Sequence, residues 1–344
     1  MSVAIPSMLP NDVRRDQLTA WLMSLPRQHA IEAETLSVAS ADASFRRYFR
    51  VAAGAGTRIV MDAPPGKEDV RAFIHVAQLL RAAGLHAPDV IEVDEQQGFL
   101  LLSDLGRQTY LSVLDESNAP LLFSDAIDAL VRWQLASRPG ELPPYDEPLL
   151  RRELDLFPEW YVAKHLKHEL TAAQRDVLDT MFRRILASNL AQPAVYVHRD
   201  YMPRNLMVAS PNPGVLDFQD AVMGPISYDV ASLFRDAFIS WDEERVIDWS
   251  IRYWERARRA GLPVTADFGA FWHDLEWMGL QRHLKVLGIF ARINYRDGKP
   301  HYLADTPRFV AYVRAVARRY DELAPLAQLL DELEGVARRI GYTF

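Results

Sequence analysis

Cysteine is missing from all 344 residues of the chain. Disulfide bonds, thiolate metal sites and cysteine nucleophiles are therefore excluded. An excess of positive charge is missing too, because 39 Lys and Arg residues stand against 46 Asp and Glu, for a formal net charge of -7. This balance argues against a general attraction to nucleic acid or to an anionic membrane.

Long apolar runs are absent as well. The amino terminus has two prolines and early charges but no apolar run of signal-peptide length, and no stretch approaches the roughly 18 apolar residues of a spanning helix. We therefore expect a cytoplasmic protein without a membrane or nucleic-acid partner, and its oligomeric state stays open. A hydrophobic content of 49% is that of an ordinary globular chain, long enough for two domains or one two-lobed unit.

The first hundred residues alternate between strand and helix patterns. Helical spacing of apolar residues predicts helices over residues 12–33 and 67–83. Short β-like runs separated by turn sequences predict strands at residues 35–39, 45–52, 57–61, 90–93 and 99–102. Strands, one helix and further strands describe a small α+β module, and from Thr109 onward most of the chain has a helical pattern.

One β-rich island interrupts the helical part, and its sequence is AVYVHRDYMPRNLMVASPNPGVLDFQD. A short apolar strand leads into the loop that carries Asp200, and Asn205 follows five residues later. A second strand end leads directly into Asp217. Phosphoryl transfer needs a group that accepts the proton of the attacking hydroxyl and hard oxygen ligands for magnesium, so Asp200 suits the first role and the other two suit the second.

The motif HRDYMPRN followed by LDFQD resembles the catalytic and metal loops of aminoglycoside phosphotransferases, choline kinases and related small-molecule kinases. This resemblance implies a two-lobed, protein-kinase-like α+β fold with ATP and Mg²⁺ as cofactors. Residues 1–103 would form an antiparallel-sheet nucleotide-binding lobe, and residues 104–344 a mainly helical catalytic and substrate-binding lobe. The implied roles are catalytic base for Asp200, metal ligands for Asn205 and Asp217, substrate contact for Asp220, and structural support for His198 and Asp229.

The same resemblance assigns parts of the first lobe to nucleotide binding. Ser44 corresponds to the serine of the small-residue phosphate loop, and the backbone around Leu101 and Ser103 would pair with adenine. The family generally carries a lysine on the third strand, where this chain has Met61 and Asp62. Arg46 or Arg50 on the preceding strand is our candidate for the missing positive charge.

Further motifs narrow the resemblance. DASFRRYFRV, MDAPP, LLSDLG and GLQRHLKVLGIFARINYRDGK together resemble bacterial kinases of the anomeric hydroxyl of N-acetylmuramate and N-acetylglucosamine, over roughly residues 35–320. Polar residues that interrupt the last, helical motif are candidates for sugar contacts, and each can equally be part of a solvated stripe. They are Arg292, Asn294 and Tyr295, with Gln281, Arg282 and His283; Trp160 and Tyr161 are weaker candidates for stacking on the ring.

Three alternatives remain open at this point. The acceptor could be an aminoglycoside or an amino alcohol, for which an acidic pocket is usual. The chain could be an inactive nucleotide-binding module, because the expected lysine is absent. A metal-dependent hydrolase is a more distant alternative, since no histidine pair has zinc-ligand spacing.

Overall fold

The computed structural model describes residues 12–40 and 45–335. Its main sheet is antiparallel and has five strands in the order β1-β2-β3-β5-β4. Helix α2 (Val70–Ala82) connects β3 to β4. The strands are β1 (Ile31–Ser40), β2 (Arg47–Ala53), β3 (Gly56–Asp62), β4 (Val90–Asp94) and β5 (Phe99–Ser103).

The predicted helix over residues 12–33 is wrong in its second half. Helix α1 spans Val13–Ser24 and starts at Asp12, whose side chain accepts a hydrogen bond from the Arg15 amide. It ends there because Pro26 disfavours helical geometry at the residue before it, and Leu25 is extended. The chain makes one turn of 3₁₀ helix and then enters β1 at Ile31.

The two faces of the sheet have different partners. On one face, α1 packs Leu18, Trp21 and Leu22 against buried side chains of β2, β3 and β5. The opposite face looks toward the helical part of the chain. Strand alternation and the cross-strand pairs put Tyr48, Arg50, Ile59, Met61 and Leu102 on that second face.

The remainder of the described chain is mainly helical, which confirms the α+β prediction. Two short antiparallel pairs interrupt it: β6 (Ala194–Val197) with β9 (Val222–Pro225), and β7 (Leu206–Met207) with β8 (Gly214–Val215). The helices are α3 (Tyr110–Val113), α4 (Ala119–Leu135), α5 (Glu147–Leu156), α6 (Ala172–Leu190), α7 (Tyr228–Phe234), α8 (Glu243–Arg259), α9 (Phe268–Asp297), α10 (Thr306–Arg319) and α11 (Ala324–Leu333); a π-helical stretch, Phe157–His165, continues α5.

Helix α9 is the central element of this part. It has 30 residues, and it contacts α5, α6, α7 and α10 as well as the π-helical stretch. Sixteen of its residues are buried, which explains why its sequence is apolar on more than one side. In residues 12–40 and 45–335, no helix is both long and apolar enough to cross a membrane.

Gly288 of α9 lies against the backbone at the end of α5. A Cβ atom at this position would be 2.4 Å from the carbonyl carbon and 2.4 Å from the carbonyl oxygen of Leu156. Backbone cannot yield as a flexible side chain does, so we expect Gly288→Ala to lower the free energy of unfolding by about 3 kcal/mol. Urea denaturation followed by circular dichroism measures this.

Gly279 provides the matched control on the same helix. The nearest atoms to a Cβ built there are 3.8 Å and 4.0 Å away, which is ordinary contact. Gly279→Ala should therefore be neutral or stabilise by up to about 1 kcal/mol through helix propensity. Equal destabilisation of the two variants would contradict the close approach at Gly288.

Candidate active site

The loop after β6 is fixed by hydrogen bonds from its backbone amides to a buried carboxylate. Asp229, near the start of α7, accepts hydrogen bonds from the backbone amides of His198 (2.7 Å) and Arg199 (3.0 Å). Burial raises the pKa of Asp229 to about 7, although both amide donors act in the opposite direction. Because these bonds fix two successive amides, they fix the course of the chain just before Asp200.

His198 is packed rather than exposed to the cleft. Its side chain is 1% exposed, and its Nδ1 accepts a hydrogen bond from the Asp200 amide at 3.3 Å. Burial lowers the pKa of His198 to about 4, so the ring is neutral near pH 7. The supporting role that the resemblance implies for His198 stays a prediction, and these contacts connect the ring to the loop of Asp200.

The neutral ring predicts a pH dependence of stability. A depressed histidine pKa contributes stability that is complete above the unfolded value of 6.5 and is lost as pH falls toward about 4. Between about pH 7.5 and about pH 5 the loss from His198 should be about 2 kcal/mol. We expect His198→Gln to remove this part of the pH dependence, measured by urea unfolding at both pH values.

The difference in pH dependence between His198→Gln and the parent protein gives the contribution of His198 alone. The raised pKa of Asp229 acts with the opposite sign, because its stabilisation is lost as pH rises toward about 7, and both proteins share it. His75→Gln is the matched control for a histidine substitution elsewhere in the chain, since that side chain is 45% exposed. An unchanged slope in His198→Gln would contradict the buried neutral ring.

Asp200, Asn205 and Asp217 converge at the ends of β6, β7 and β8. The side-chain Nδ2 of Asn205 donates to the backbone oxygen of Asp200 at 2.9 Å and lies 3.4 Å from Oδ2 of Asp217. The backbone is pinned too, because the Leu216 amide donates to the Asn205 carbonyl at 2.9 Å. The predicted meeting of the two strand ends is therefore present.

Gln219 joins this cluster, and the sequence analysis missed it. Its Nε2 donates to Oδ1 of Asp217 at 3.0 Å and to Oδ2 of Asp220 at 3.4 Å. Its buried Oε1 has no hydrogen-bond partner among the residues described. The signal was present in LDFQD, where Gln219 is two residues after Asp217 in a turn.

The donor atoms at this point fit a magnesium ion. The Nδ2 of Asn205 is used by the Asp200 carbonyl, which leaves the amide oxygen for a cation. Gln219 donates a hydrogen bond to Oδ1 of Asp217, whereas Oδ2 of Asp217 faces Asn205. One amide and one carboxylate oxygen are the few protein ligands that Mg²⁺ usually takes, because phosphate and water complete its octahedron.

Two cavities meet at the cluster. The larger has a volume of about 710 Å³ and lies under the sheet, where Tyr48, Ile59 and Leu102 line it. The smaller, of about 250 Å³, lies against α9. The side chains that line both are Arg204, Asn205, Asp217 and Phe238, whereas Asp200 and Asp220 line only the smaller one.

The predicted nucleotide contacts are distributed unevenly. Ser103 and Arg50 line the larger cavity, but Arg46 lines the smaller one. The side chain of Leu101 packs on the opposite face of the sheet, so only its backbone is available there, and that backbone pairs with β3 and β4. Ser44 lies outside the described residues.

The guanidinium of Arg50 is already paired inside the larger cavity. Its Nε is 2.6 Å from Oδ2 of Asp104, and its Nη2 donates to the carbonyl of Gly106 at 2.7 Å. The hydrogen bonds that Arg50 donates to the Asp104 carboxylate hold the pKa of Arg50 above its usual value. Arg46 makes a longer pair, with Nε 3.7 Å from Glu68.

The place of the expected lysine is closed to phosphate. Met61 is fully buried in the core between the sheet and α2. The Asp62 carboxylate is also fully buried, and two arginines neutralise it: Arg14 of α1 through Nε at 3.1 Å, and Arg47 through Nε at 2.9 Å. A cation for the phosphates therefore has to come from another element.

The acceptor candidates on α9 are only partly brought to the smaller cavity. Its lining from this helix is Arg282, Lys285, Val286, Ile289, Phe290 and Ile293. The helix turns about 100° per residue, so Asn294 and Tyr295 are carried to other sides, and Arg292 stays at the edge. None of these three lines either described cavity, and the Tyr295 hydroxyl lies 3.3 Å from Nδ1 of His165.

The other polar candidates divide in the same way. Gln281 is buried and donates to the carbonyl of Leu150 at 2.9 Å, and His283 is buried against Arg235. Tyr161 donates to Glu334 at 2.8 Å, and neither it nor Trp160 lines the smaller cavity. Of the predicted sugar contacts on α9, Arg282, which is 2% exposed, is the one that lines the smaller cavity.

A buried charge network backs the wall of the smaller cavity. Glu153 of α5 pairs with Lys285 at 2.8 Å and with Arg199 at 2.6 Å. Burial alone would raise the pKa of Glu153, but the charges of Lys285 and Arg199 hold it below its usual value. Lys285 was missed because a lysine within a helical pattern is normally solvated, and only its distant partner Glu153 explains its burial.

Known proteins with similar sequences are phosphotransferases. The model of the phosphotransferase enzyme family matches residues 35–268. An N-acetylmuramate/N-acetylglucosamine kinase of Pseudomonas putida is 52% identical over 96% of this chain and 100% of its own length. A kinase of the same name from Neisseria meningitidis is 50% identical over 96% of this chain and 99% of its own.

Solved structures resemble the fold at low sequence identity. An amicoumacin kinase in complex with AMP-PNP, Ca²⁺ and Ami superposes with a TM-score of 0.61 at 13% identity, covering 87% of this chain and 92% of that one. A choline kinase from Streptococcus pneumoniae gives a TM-score of 0.60 at 14% identity, covering 88% and 98%. At these identities the likeness concerns the fold alone, and it is the two-lobed kinase-like fold predicted from the motifs.

Proposed function

The chain belongs to the phosphotransferase enzyme family, and we propose that it is an ATP-dependent kinase of N-acetylmuramate and N-acetylglucosamine that phosphorylates the anomeric C1 hydroxyl. Relatives of that name are 50–52% identical over nearly the whole chain, which supports the sugar as acceptor. The anomeric position rests on the motif resemblance. Because ATP is the phosphate donor, the proposal assigns the reaction to the cytoplasm.

One observation carries the proposal: Asn205 and Asp217 line both cavities, whereas Asp200 lines only the smaller one. A kinase needs its metal ligands where donor and acceptor meet, and its base on the acceptor side alone. The larger cavity then takes the nucleotide, and the smaller one takes the sugar. In these terms residues 1–103 are the nucleotide-binding lobe and residues 104–344 the catalytic and acceptor-binding lobe.

In the proposed reaction, the carboxylate of Asp200 orients the C1 hydroxyl and accepts its proton as the oxygen attacks the γ-phosphorus. Asn205 and Asp217 would hold Mg²⁺, which neutralises phosphate charge when bound. Asp229 keeps the loop in position through the His198 and Arg199 amides. The exposed Asp220 on the rim of the smaller cavity is a candidate for a hydrogen bond to a sugar hydroxyl.

The acceptor side combines charge with apolar surface. Ile289, Phe290 and Ile293 offer apolar contact for a ring face and an acetyl methyl. Arg282 and Lys285 add positive charge that suits the lactyl carboxylate of N-acetylmuramate. N-acetylglucosamine has no carboxylate to pair with a cation. Its binding would not leave the charge of Lys285 uncompensated, because Glu153 already pairs with that lysine.

The test is an acceptor screen with purified protein, ATP and Mg²⁺, in which ADP release is measured with N-acetylmuramate, N-acetylglucosamine, kanamycin and choline. We expect turnover with the two sugars only. Phosphorus-31 and proton NMR of the products should show the phosphate coupled to the anomeric proton. Turnover with kanamycin or choline alone would refute the proposed acceptor, and phosphate on another sugar hydroxyl would refute the anomeric assignment.

A further inference from the structure

We propose that Arg204, held on the ring of Phe238, is the cation that binds the phosphoryl group during its transfer. The inference rests on the proposed kinase reaction and deepens it, because it names the residue that supplies the charge expected from the absent strand lysine. It differs from the candidates that the sequence offered, since those lie on β2 and in the segment before it.

The location of Arg204 is the first argument. Among the positively charged side chains of residues 12–40 and 45–335, Arg204 is the one that lines both cavities. It directly precedes Asn205 in the 3₁₀ turn Pro203–Asn205, so it shares the rigid backbone of a proposed metal ligand. The phosphoryl group has to pass this boundary when it moves from nucleotide to acceptor.

The other cations around the cavities are less well placed. Arg50 and Arg107 line only the larger cavity, and Arg50 is paired with Asp104. Arg46, Arg282 and Lys285 line only the smaller cavity. A cation confined to one side can bind ATP or the product, but it cannot accompany the phosphoryl group between them.

Phe238 positions the guanidinium of Arg204 between the two cavities. The central carbon of the Arg204 guanidinium lies 5.0 Å from the centroid of the Phe238 ring, within cation–π range. The backbone that carries the ring is held, because the Phe238 amide donates to Oδ1 of the buried Asp236 at 2.7 Å. A planar guanidinium carries its N–H donors along its edges, which is the geometry with which arginine binds phosphate oxygens.

The chemistry gives this charge a specific role. The acceptor oxygen forms a bond to the γ-phosphorus, its proton goes to Asp200, and the bond to the bridging oxygen breaks so that ADP leaves with the electron pair. Negative charge is spread over the three equatorial oxygens throughout. Arg204 would donate hydrogen bonds to these oxygens, and such bonds are strongest where water is excluded.

The test compares Arg204→Gln and Arg204→Lys with the parent enzyme and with a control, Arg252→Gln. Arg252 is 54% exposed and pairs with Asp248 on α8, remote from both cavities. With N-acetylglucosamine and Mg-ATP, we expect Arg204→Gln to lower kcat about 50-fold, with a smaller change in the KM for the sugar. Arg204→Lys should recover part of the loss, because it restores the charge but not the planar fork.

A binding measurement makes the inference independent of the acceptor. Isothermal titration with Mg²⁺ gives the affinities for AMP-PNP and ADP, and their ratio reports the contact to the terminal phosphate. In Arg204→Gln the preference for AMP-PNP should fall about tenfold relative to the parent, with ADP affinity unchanged. If the parent phosphorylated none of the sugars, the proposed function would fail while this ratio would still test Arg204.

Phe238 supplies the second pair of variants. Phe238→Leu keeps an apolar wall but loses the ring face, and Phe238→Ala loses both. If the ring positions Arg204, both variants should lower kcat and the AMP-PNP preference in the same direction as Arg204→Gln. A parent-like kcat and a parent-like AMP-PNP to ADP ratio in Arg204→Gln would overturn the inference.

Discussion

Asp200→Asn should lower turnover about a thousandfold while leaving nucleotide binding intact. The asparagine keeps the shape of the side chain but cannot accept the proton of the acceptor hydroxyl, and general-base catalysis is worth about 10²–10⁴ in rate. We expect kcat to fall about 10³-fold, because Asp200 lines only the acceptor cavity and no second carboxylate occupies the same loop. Steady-state kinetics with N-acetylmuramate as acceptor measures this.

Binding experiments separate this loss from damage to the fold. Asp200 is half-buried and donates only its backbone amide to His198, so its side-chain change should leave the melting temperature within about 2 °C of the parent. ATP affinity should stay within about twofold. A variant that retains more than about a tenth of the parental kcat would remove Asp200 from the role of base.

Asp217→Asn should produce an effect of similar size by a different route. The substitution replaces the carboxylate, the only charged one of the two protein ligands proposed for Mg²⁺, with a neutral amide that has a single oxygen. Metal-assisted stabilisation is worth several kcal/mol, so kcat at a fixed Mg²⁺ concentration should fall about 10³-fold. The Mg²⁺ concentration for half-maximal rate should rise at the same time, and a metal titration of the initial rate measures both.

Asp220→Asn is the informative comparison for this variant. Asp220 is close to the same glutamine but lines only the smaller cavity. Its loss should raise the KM for the sugar and leave the Mg²⁺ dependence unchanged. An unaltered metal dependence in Asp217→Asn, or a shifted one in Asp220→Asn, would refute the division of roles at this cluster.

The fold could be predicted from the sequence where the local residue pattern determines the secondary structure. The five strands and α2 are each separated by turn residues, and the alternation of apolar residues fixed their approximate positions. The helix expected over residues 12–33 was extended too far, because Pro26 ends the helix and β1 pairs the following residues with the sheet. Tertiary pairing overrode a local preference.

The site was predictable only where consecutive residues carry it. Asp200, Asn205 and Asp217 follow strand ends at short spacing, and the structure brings them together. The proposed acceptor residues lie on α9, where the register of a long helix decides which side chains face the cavity. Lys285 was missed because its partner Glu153 is distant in sequence. Phe238 was missed because its partner, Arg204, is also distant in sequence and both are common residue types.

The arginine pair around Asp62 has a consequence for where this protein can be divided. The region matched by the family model starts at residue 35, yet Arg14 and the apolar side of α1 come before it. A chain shortened to that start would bare Phe99 and Leu101 to solvent and strip one counter-ion from a carboxylate that has no access to water. The folding unit is thus larger than the stretch that the family model matches, and the leading helix is an integral part of it.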